Sequence, residues 1–415
     1  MRDYYAVIDL KCFFASVECV ERNLDPFKTD LIVADKSRGK GTITLAITPK
    51  MKKRGIKNRC RVFEIPNNVH PIFAKPRMKK YIEYSGKVYK VYLKFIDKED
   101  IHVYSIDEAF IYLTPYIKLY KKNPIEISKM ILEEIYKETS LTATAGIGTN
   151  MYLAKIALDI ISKHTKNNIG YIDEKLYNEK LIDHLPLTDF WMVGKATENR
   201  LFYHNIKTMR DITKTDPKIL FDEFGINAEY LIDHAFGRES CTIKDIKNYK
   251  VKSNSISNSQ ILFKDYNYAD ARIILIEMID YIVQRLVGYK LYAKTASFSI
   301  GYTNDMIKSL KVSFKLNNPT NSYNVIKKRV LSEYDYKINE HIKIRRISVC
   351  LGGLTNKKIT QLSLFEEEVD EEKLEMAIND IKEKYGKNSI LRAISYEENA
   401  TMKIRNTLIG GHNAT

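Results

Sequence analysis

The stretch His102 to Leu113, HVYSIDEAFIYL, places two acids between two short runs that alternate like half-buried strands. Asp107 and Glu108 fall at the join of the predicted hairpin. An adjacent acidic pair in apolar surroundings needs a neutralising cation, and carboxylates are preferred ligands of Mg²⁺ and Mn²⁺. Acidic pairs are also common in solvated turns, so this stretch alone leaves a turn and a metal site equally open.

A second predicted strand, Tyr4 to Leu10 (YYAVIDL), ends near Asp9 and favours the metal site. Carboxylates at the ends of neighbouring strands can hold two divalent ions about 4 Å apart, the arrangement of phosphoryl and nucleotidyl transfer. The predicted elements follow the order βαββαβ, which is ferredoxin-like and gathers strand ends at one edge. The interval from Cys12 to Met78 is then an insertion after the first strand.

Length and charge limit the class of protein. A chain of 415 residues should form several domains. The 67 Lys and Arg against 52 Asp and Glu leave a net charge of +15, which indicates a polyanionic partner, nucleic acid before an anionic membrane. No apolar run of membrane-spanning length and no signal-peptide pattern is present, which predicts a soluble cytoplasmic protein. The 5 scattered cysteines lack a CxxC motif and predict neither disulfides nor a zinc site.

Basic segments supply candidate anion contacts. Pro49 to Arg61 (PKMKKRGIKNRCR) is predicted to be a short helix, and its charge indicates either a solvated face or phosphate binding. A glycine turn at Val193, Gly194 and Lys195 leads into a predicted helix, whose first N–H groups suit either an ordinary cap or a DNA phosphate. From Cys241 to Cys350 there are 19 Lys and Arg against 9 Asp and Glu, which predicts a duplex-contacting domain.

The pentapeptide QLSLF precedes an acidic run. An exposed peptide of this composition is typical of docking into an apolar groove of another protein. The alternative is that its apolar side chains pack on the domain itself. The peptide consists of Gln361, Leu362, Ser363, Leu364 and Phe365.

Six motifs occur in the order found in the Y-family translesion DNA polymerases, and the chain resembles the UmuC and UvrX branch of that family, related to DinB. The motifs are DLKCFFASVE, YSIDEAF, AGIGTNMYLAKIA, WMVGKAT, NSQILFKDY and QLSLF. The resemblance implies an α+β right-hand polymerase with a ferredoxin-like palm, small fingers, a helical thumb with a helix-hairpin-helix, and an α/β little finger. The implied boundaries are 1–11 and 79–166 for the palm, 12–78 for the fingers, 167–241 for the thumb, 242–252 for a linker, 253–353 for the little finger and 354–415 for a C-terminal tail with the clamp-binding peptide.

The resemblance also implies roles for individual residues. Asp9, Asp107 and Glu108, with the backbone carbonyl of Leu10, match the ligands of two Mg²⁺ ions, for which Mn²⁺ can substitute. Phe14 falls on the steric gate that excludes a 2′-hydroxyl. The further residues implied to contact the nucleotide are Phe13, Lys52 and Lys163.

The implied function is template-directed addition of dNTPs to a primer, in DNA repair, damage tolerance and the SOS response. The implied partners are primer-template DNA, dNTP and the bacterial sliding clamp. The resemblance implies a monomer without membrane contact and leaves accessory subunits open. Two other interpretations remain at this stage: a non-catalytic relative that binds DNA and the clamp, and a nucleotidyl cyclase, whose palm also uses paired acids.

The sequence departs from the DinB pattern at several positions. Lys11 replaces a second aspartate, and Pro49 and Lys52 replace the tyrosine and arginine that hold the triphosphate. Ile43 and Leu45 fall over the nascent base pair, where many relatives have small residues. Lys163 lies one residue farther from Lys155 than in DinB-type enzymes. Lysine offers a point charge where arginine offers a bidentate fork, so Lys11, Pro49 and Lys52 bear on nucleotide affinity. Ile43 and Leu45 bear on the range of lesions that the enzyme tolerates.

Overall fold

The computed structural model describes residues 2–39, 41–250, 254–304, 306–356 and 371–415. The chain divides into two compact units, Met1–Lys250 with Ala414–Thr415, and Val251–Asn413. The peptide predicted to bind the clamp, Gln361 to Phe365, lies outside the described residues.

Two sheets and a series of helices make up the first unit. Its strands are β1 (Tyr5–Leu10), β2 (Leu31–Val33), β3 (Ala46–Ile47), β4 (Ile72–Ala74), β5 (Ile101–Val103), β6 (Glu108–Tyr112), β7 (Ala143–Gly148) and β8 (Ile169–Ile172). Its α-helices are α1 (Phe13–Val20), α2 (Pro49–Lys53), α3 (Met78–Phe95), α4 (Thr114–Tyr120), α5 (Pro124–Thr139), α6 (Met151–Ile156), α7 (Glu174–Lys180), α8 (Lys195–Tyr203), α9 (Met209–Lys214), α10 (Pro217–Phe224), α11 (Ala228–Ala235) and α12 (Ile243–Asn248).

The larger sheet confirms the predicted ferredoxin-like order. Its strands lie in the order β5-β6-β1-β7-β8, with β1 antiparallel to both β6 and β7 and β8 parallel to β7. Ala6 and Ile8 of β1 belong to a buried core that includes Val91 of α3 and Ile131 of α5. Successive strand residues point to opposite faces, so Asp9 points to the other face, where α6 packs.

Sequence signals explain why α5 begins where it does. Asn123 accepts a hydrogen bond from the Glu126 N–H and forms a capping box with it, and Pro124 occupies the first turn. Ile127, Ile131 and Ile135 follow at four-residue spacing and are buried. These local signals account for the position of α5.

Glycines in β7 allow α6 to lie close to the sheet. A Cβ atom on Gly146 would come 2.1 Å from the Leu158 nitrogen, and one on Gly148 would come 2.3 Å from the Ala154 nitrogen. Backbone atoms cannot move away from such contacts at low energetic cost, so these positions accept only glycine. The close approach places the middle of α6 beside the end of β1.

The insertion between β1 and α3 has less regular structure than its sequence predicts. It holds α1, α2 and a small sheet in the order β3-β2-β4. Gly41 to Ile47 (GTITLAI) has the composition of a strand, but only its last two residues form one, β3. The predicted helix to Arg61 is wrong beyond Lys53, because Gly55 adopts a φ of 80° that ends the helix.

The second unit is a four-stranded sheet with helices on one face. Its main elements are β9 (Ser255–Tyr266), α13 (Tyr268–Gly288), β10 (Ala293–Tyr302), β11 (Leu310–Thr320), α14 (Tyr323–Lys337) and β12 (Ile344–Gly352), with strand order β11-β10-β12-β9. Phe298 and Ile300 of β10 pack with Ile279 of α13 and Val330 of α14 in one core. The first unit ends with α12, so a helix occupies the start of the segment predicted as a linker, 242–252.

The segment predicted as a tail, 354–415, is largely folded where the structure describes it. It contains α15 (Glu371–Tyr385), α16 (Met402–Arg405), β13 (Leu408–Ile409) and β14 (His412–Asn413). Gly410 and Gly411, both with positive φ, form the turn between β13 and β14. α15 was not predicted from the sequence. In the described part of the chain, no helix is long and apolar enough to cross a membrane.

Candidate active site

Three acids lie side by side in the larger sheet, where β1 ends and β6 begins. We call this end of the inner strands the acidic edge. Asp9 lies directly opposite Glu108 in the antiparallel pair of β1 and β6. The Leu10 N–H donates to the Asp107 carbonyl at 3.0 Å. Directly opposed residues in such a pair have Cα atoms about 4.5–5.5 Å apart. The pairing of strands thus brings together acids that are about a hundred positions apart in the sequence.

Lys155 of α6 lies against this acidic edge. Its ammonium group is 2.7 Å from Glu108 Oε1 and 3.2 Å from Asp159 Oδ2. Sequence reasoning gave Lys155 no role, although its spacing from Asp159 is that of an ion pair across one helical turn. The lysine holds the Glu108 carboxylate in a fixed direction and partly neutralises it.

The electrostatics of the edge favour a cation. Burial, and then repulsion from Asp107 and Glu108, raise the pKa of Asp9 to about 7. Burial also raises the pKa of Glu108, although Lys155 opposes that shift. A divalent cation would offset the repulsion and favour the ionised forms of Asp9 and Glu108.

Asp107 differs from its two neighbours. Its carboxylate accepts a hydrogen bond from the Ser105 hydroxyl at 2.6 Å, in the turn between β5 and β6. Within the described ranges, no three acidic, histidine or cysteine side chains are gathered closely enough to hold a metal ion as they stand. The backbones of the three acids therefore lie side by side across the two strands, but their carboxylates do not converge on one point as metal ligands would.

The two phenylalanines behind Asp9 have different surroundings. Phe13 is 3% exposed and belongs to the core, whereas Phe14 is only partly buried. The Phe14 ring stacks on Tyr81 with centroids 4.4 Å apart. Tyr81 is itself fixed, because its hydroxyl donates to Glu18 at 2.8 Å. Sequence reasoning did not identify Tyr81 as the residue that supports Phe14.

A π-helical turn separates Lys155 from Lys163. Residues Ala157–Ile161 form the π-turn and Ser162–His164 form a 3-10 turn, so Lys163 is exposed just beyond α6. A π-turn accommodates one extra residue within a helix, and such turns are frequent at functional sites. The turn is the structural counterpart of the longer spacing between the two lysines.

Further lysines lie around the start of α1 and α2. Lys52 is exposed on α2. Burial raises the pKa of the Cys12 thiol, and the charge of Lys52, followed by its hydrogen bond, opposes that shift. Lys11 Nζ donates to the Asn168 side chain at 2.5 Å, and burial lowers the pKa of Lys11.

Pro49 begins α2 and lacks the hydroxyl that a tyrosine would offer. Ile43 is exposed, and Leu45 packs against the core of the first unit.

The glycine turn lies at the start of α8. Gly194 is the N-cap residue and provides no side-chain hydrogen bond, while Val193 is buried. Lys195 is exposed, and its ammonium group donates to Glu198 at 2.5 Å. Because glycine has no side chain, the N-cap residue of α8 leaves the first N–H groups of the helix without a side-chain cap, which is compatible with the predicted phosphate contact.

The second unit exposes the face of its sheet that the helices leave uncovered. Lys311 lies opposite Ser299, Lys315 opposite Thr295, and Arg346 opposite Gly301 in the strand pairing. The centre of this face is rich in hydroxyl groups, contributed by Ser257, Ser259, Ser297, Ser299, Ser313 and Ser348. Cations flanking small hydroxyl side chains form a surface that suits a nucleic-acid backbone.

Comparison with known proteins identifies the relatives of the chain. Residues 8–159 match the impB/mucB/samB family, and residues 253–364 match the C-terminal domain of that family. The putative UV-damage repair protein UvrX of Bacillus subtilis is 33% identical over 98% of this chain and 96% of its own length. DNA polymerase IV 2 of the same bacterium is 28% identical, with 98% of each chain covered.

A solved structure has a similar fold. A chimeric Y-family DNA polymerase matches with a TM-score of 0.65 and 21% sequence identity, covering 84% of this chain and 98% of its own. At this identity the comparison supports the multidomain α+β fold. The assignment of the chain to a family rests on the sequence comparisons.

Proposed function

Because the chain belongs to the impB/mucB/samB family, the UmuC- and DinB-like group of Y-family DNA polymerases, we propose that it is a DNA-directed DNA polymerase of the translesion type. It adds dNTPs to a primer on a template and acts in the cytoplasm, in DNA repair and damage tolerance. The observation that carries the proposal is the position of Asp9 opposite Glu108, with Asp107 next to them, at one edge of the ferredoxin-like sheet.

These acids suit a pair of divalent cations. Asp9, Asp107 and Glu108, with the Leu10 carbonyl, would hold two Mg²⁺ or Mn²⁺ ions, and burial and mutual repulsion of the acids support a cationic partner. The ions would lower the pKa of the primer 3′-hydroxyl and neutralise the triphosphate. Lys155 keeps Glu108 oriented. A catalytic histidine is not required for this chemistry.

Other residues position the nucleotide in this proposal. Phe14 is partly buried in α1, which follows β1 and Asp9 directly in the chain, and it faces the sugar, while Phe13 supports it from the core. Lys52 and Lys163 are exposed and contact the triphosphate as point charges. Val193, Gly194 and Lys195 bind a phosphate of the duplex.

A primer-extension assay with Mg²⁺ and dNTPs tests the proposal. Template-dependent growth of the primer is expected, with Mn²⁺ also active. A protein that binds primer-template DNA but never extends it would be the non-catalytic relative instead. A protein that cyclises nucleoside triphosphates without DNA would be a cyclase, but the basic second unit has no use in that reaction.

The exposed sheet face of the second unit is expected to supply much of the duplex affinity. Replacing both Lys311 and Lys315 by Ala should weaken binding and reduce the slope of log K against log salt by about 1.8, because each neutralised phosphate contributes about 0.9. The measurement is fluorescence anisotropy of a labelled duplex over a salt series.

A matched double variant controls this experiment. Lys290 and Lys328 are exposed at the end of α13 and on α14, away from the sheet face. Their replacement by Ala removes the same charge and should leave the salt slope nearly unchanged. Equal effects from both double variants would show that net charge, and not the sheet face, determines binding.

The QLSLF peptide is proposed to bind the sliding clamp. Replacing Leu364 and Phe365 by Ala should lower clamp affinity by at least about a hundredfold, because apolar anchors dominate peptide binding in grooves. Distributive primer extension without clamp should not change. If a pull-down with the clamp is unaffected, these side chains pack on their own domain instead.

A further inference from the structure

The single tryptophan of the chain, Trp191, packs against two hydrophobic cores of the first unit at once. One core is formed mainly by the helices that follow β8 and includes Leu201 of α8 and Leu231 of α11. The other lies between α6 and the sheet and includes Val7 of β1 and Phe110 of β6. Because protein interiors are closely packed, a ring that contacts both cores fixes the position of one relative to the other.

On the side of the sheet, the Trp191 ring packs on the strand that carries Glu108. Its centroid is 5.7 Å from that of Phe110, and 6.1 Å from that of Tyr104 in an edge-to-face arrangement. The Trp191 Nε1–H donates to the Tyr104 hydroxyl at 3.3 Å. Phe110 is two positions after Glu108 in β6, and residues two apart in a strand share a face. Trp191 therefore lies on the face of the sheet to which Glu108 points.

Tyr104 begins the turn that carries Asp107. The N–H groups of Tyr104 and Ser105 donate to the Glu108 carbonyl at 3.0 and 3.1 Å. The Ser105 hydroxyl donates to the Asp107 carboxylate at 2.6 Å. A displacement of Tyr104 would therefore move the backbone that places both acids.

On the side of the helices, Trp191 is supported by His234 of α11. The two rings stack with centroids 5.9 Å apart and an interplanar angle of 19°. His234 is buried, stacks on Tyr152 of α6 at 3.9 Å, and places its Nε2 3.1 Å from Glu239 Oε2. The support of the Trp191 ring is thus held by both stacking and a polar contact.

The chain also links Trp191 to the glycine turn that precedes α8. Only Met192 and Val193 separate it from Gly194, the N-cap residue of that helix. Val193 is buried, and its N–H donates to the Phe190 carbonyl at 3.1 Å. A segment this short and this well held transmits a displacement of the glycine turn to the Trp191 ring.

We propose that Trp191 is a positioning residue that ties the acidic edge to the glycine turn Val193 to Lys195, an inference that rests on the proposed polymerase function. The ring acts through Tyr104, whose turn carries Asp107. Without the ring, the acids and the DNA-binding turn are both still present, but their relative position is no longer fixed. A misplacement of about 1 Å can lower a catalytic rate about a hundredfold, even when the changed residue is far from the reacting atoms.

The test measures single-turnover insertion of one dNTP, with separate titrations of dNTP and of primer-template DNA. Trp191→Ala is expected to lower the maximal rate about thirtyfold, while the apparent affinities for dNTP and DNA change by no more than about threefold. Trp191→Phe keeps an aromatic ring in contact with Tyr104 and His234 and should recover most of the rate. The control is Phe221→Ala, which removes a 45% exposed ring from α10 and should insert like the wild type.

A double-mutant cycle tests whether Trp191 acts through Tyr104. Tyr104→Ala, at a 48% exposed position, should slow insertion to a similar extent as Trp191→Ala. The double variant should be no slower than either single variant, because residues that act as a unit have non-additive effects. Trp191 is the only tryptophan, so its fluorescence emission reports its own contacts. Tyr104→Ala should shift this emission to longer wavelength, and Phe221→Ala should not.

The same measurements separate a positioning role from simple packing. Thermal unfolding verifies that each variant is folded, and Tyr104→Ala tests the inference even if Trp191→Ala does not fold. If the wild type extends primers and Trp191→Ala or Tyr104→Ala reaches the same maximal rate, the inference is overturned and the proposed function stands. Losses that multiply in the double variant would show that Trp191 does not act through Tyr104, which also overturns the inference. If the wild type never extends a primer, the proposed function fails and the inference fails with it.

Discussion

Replacing Asp107 by Asn is expected to lower the rate of primer extension by about a thousandfold or more, which corresponds to at least about 4 kcal/mol in the activation barrier. The physical reason is that asparagine keeps the shape of the side chain but removes the negative charge that would fix a divalent cation at the edge of the sheet. The measurement is single-nucleotide insertion under single-turnover conditions.

Asp107 is the sharpest of the three acids to test. Its carboxylate accepts a hydrogen bond from the Ser105 hydroxyl. The amide oxygen of asparagine can accept the same hydrogen bond, so the turn keeps its shape. Replacing Glu108 would instead leave Lys155 without an ion-pair partner on the sheet, which mixes a structural effect with a catalytic one.

The control for Asp107→Asn is Glu99→Gln, an exposed acid just before β5, which should extend primers like the wild type. The DNA affinity of both variants should be unchanged, because neither residue lies on the exposed sheet face of the second unit. Near-normal extension by Asp107→Asn would remove Asp107 from the proposed metal site.

The palm and its acidic edge were predictable because local signals agree with the tertiary structure. The strands near the site are short, mostly apolar runs, and Asn123 and Pro124 mark the start of α5. The antiparallel pairing of β1 with β6 follows from the ferredoxin-like order, and the register seen in the structure places Asp9 opposite Glu108.

Other features depend on contacts that a sequence pattern does not record. Lys155 becomes important only because Gly146 and Gly148 let α6 approach the sheet, which is a packing effect between distant segments. The helix α15 has clear apolar periodicity, but its acidic start and its place after the last strand favoured the interpretation as a tail.

Phe14 determines the choice of sugar in this proposal, and the structure separates it from Phe13. Neighbouring helix positions point about 100° apart, so only one of the two rings can face the core. Phe13 is the buried ring, and Phe14 is half-exposed and stacked on Tyr81. A rigid ring held in this way would overlap a 2′-hydroxyl on the incoming nucleotide.

Replacing Phe14 by Ala is therefore expected to raise ribonucleotide insertion by at least about a hundredfold, which corresponds to about 2.7 kcal/mol. Deoxynucleotide insertion should fall by no more than about tenfold, since the ring makes no contact with the reacting groups. The measurement is kcat/KM for dNTP and rNTP with the same template.

The buried neighbour provides the matched control for the steric gate. Phe13→Ala removes a core side chain and should lower the free energy of unfolding by about 3–5 kcal/mol without changing sugar selection, because the hole it leaves lies away from the nucleotide. If Phe13→Ala relaxes sugar selection and Phe14→Ala does not, the two rings have exchanged roles. If neither variant accepts ribonucleotides, the 2′-hydroxyl is excluded by a residue outside this aromatic pair, and the stacking of Phe14 on Tyr81 serves only to pack α1 against α3.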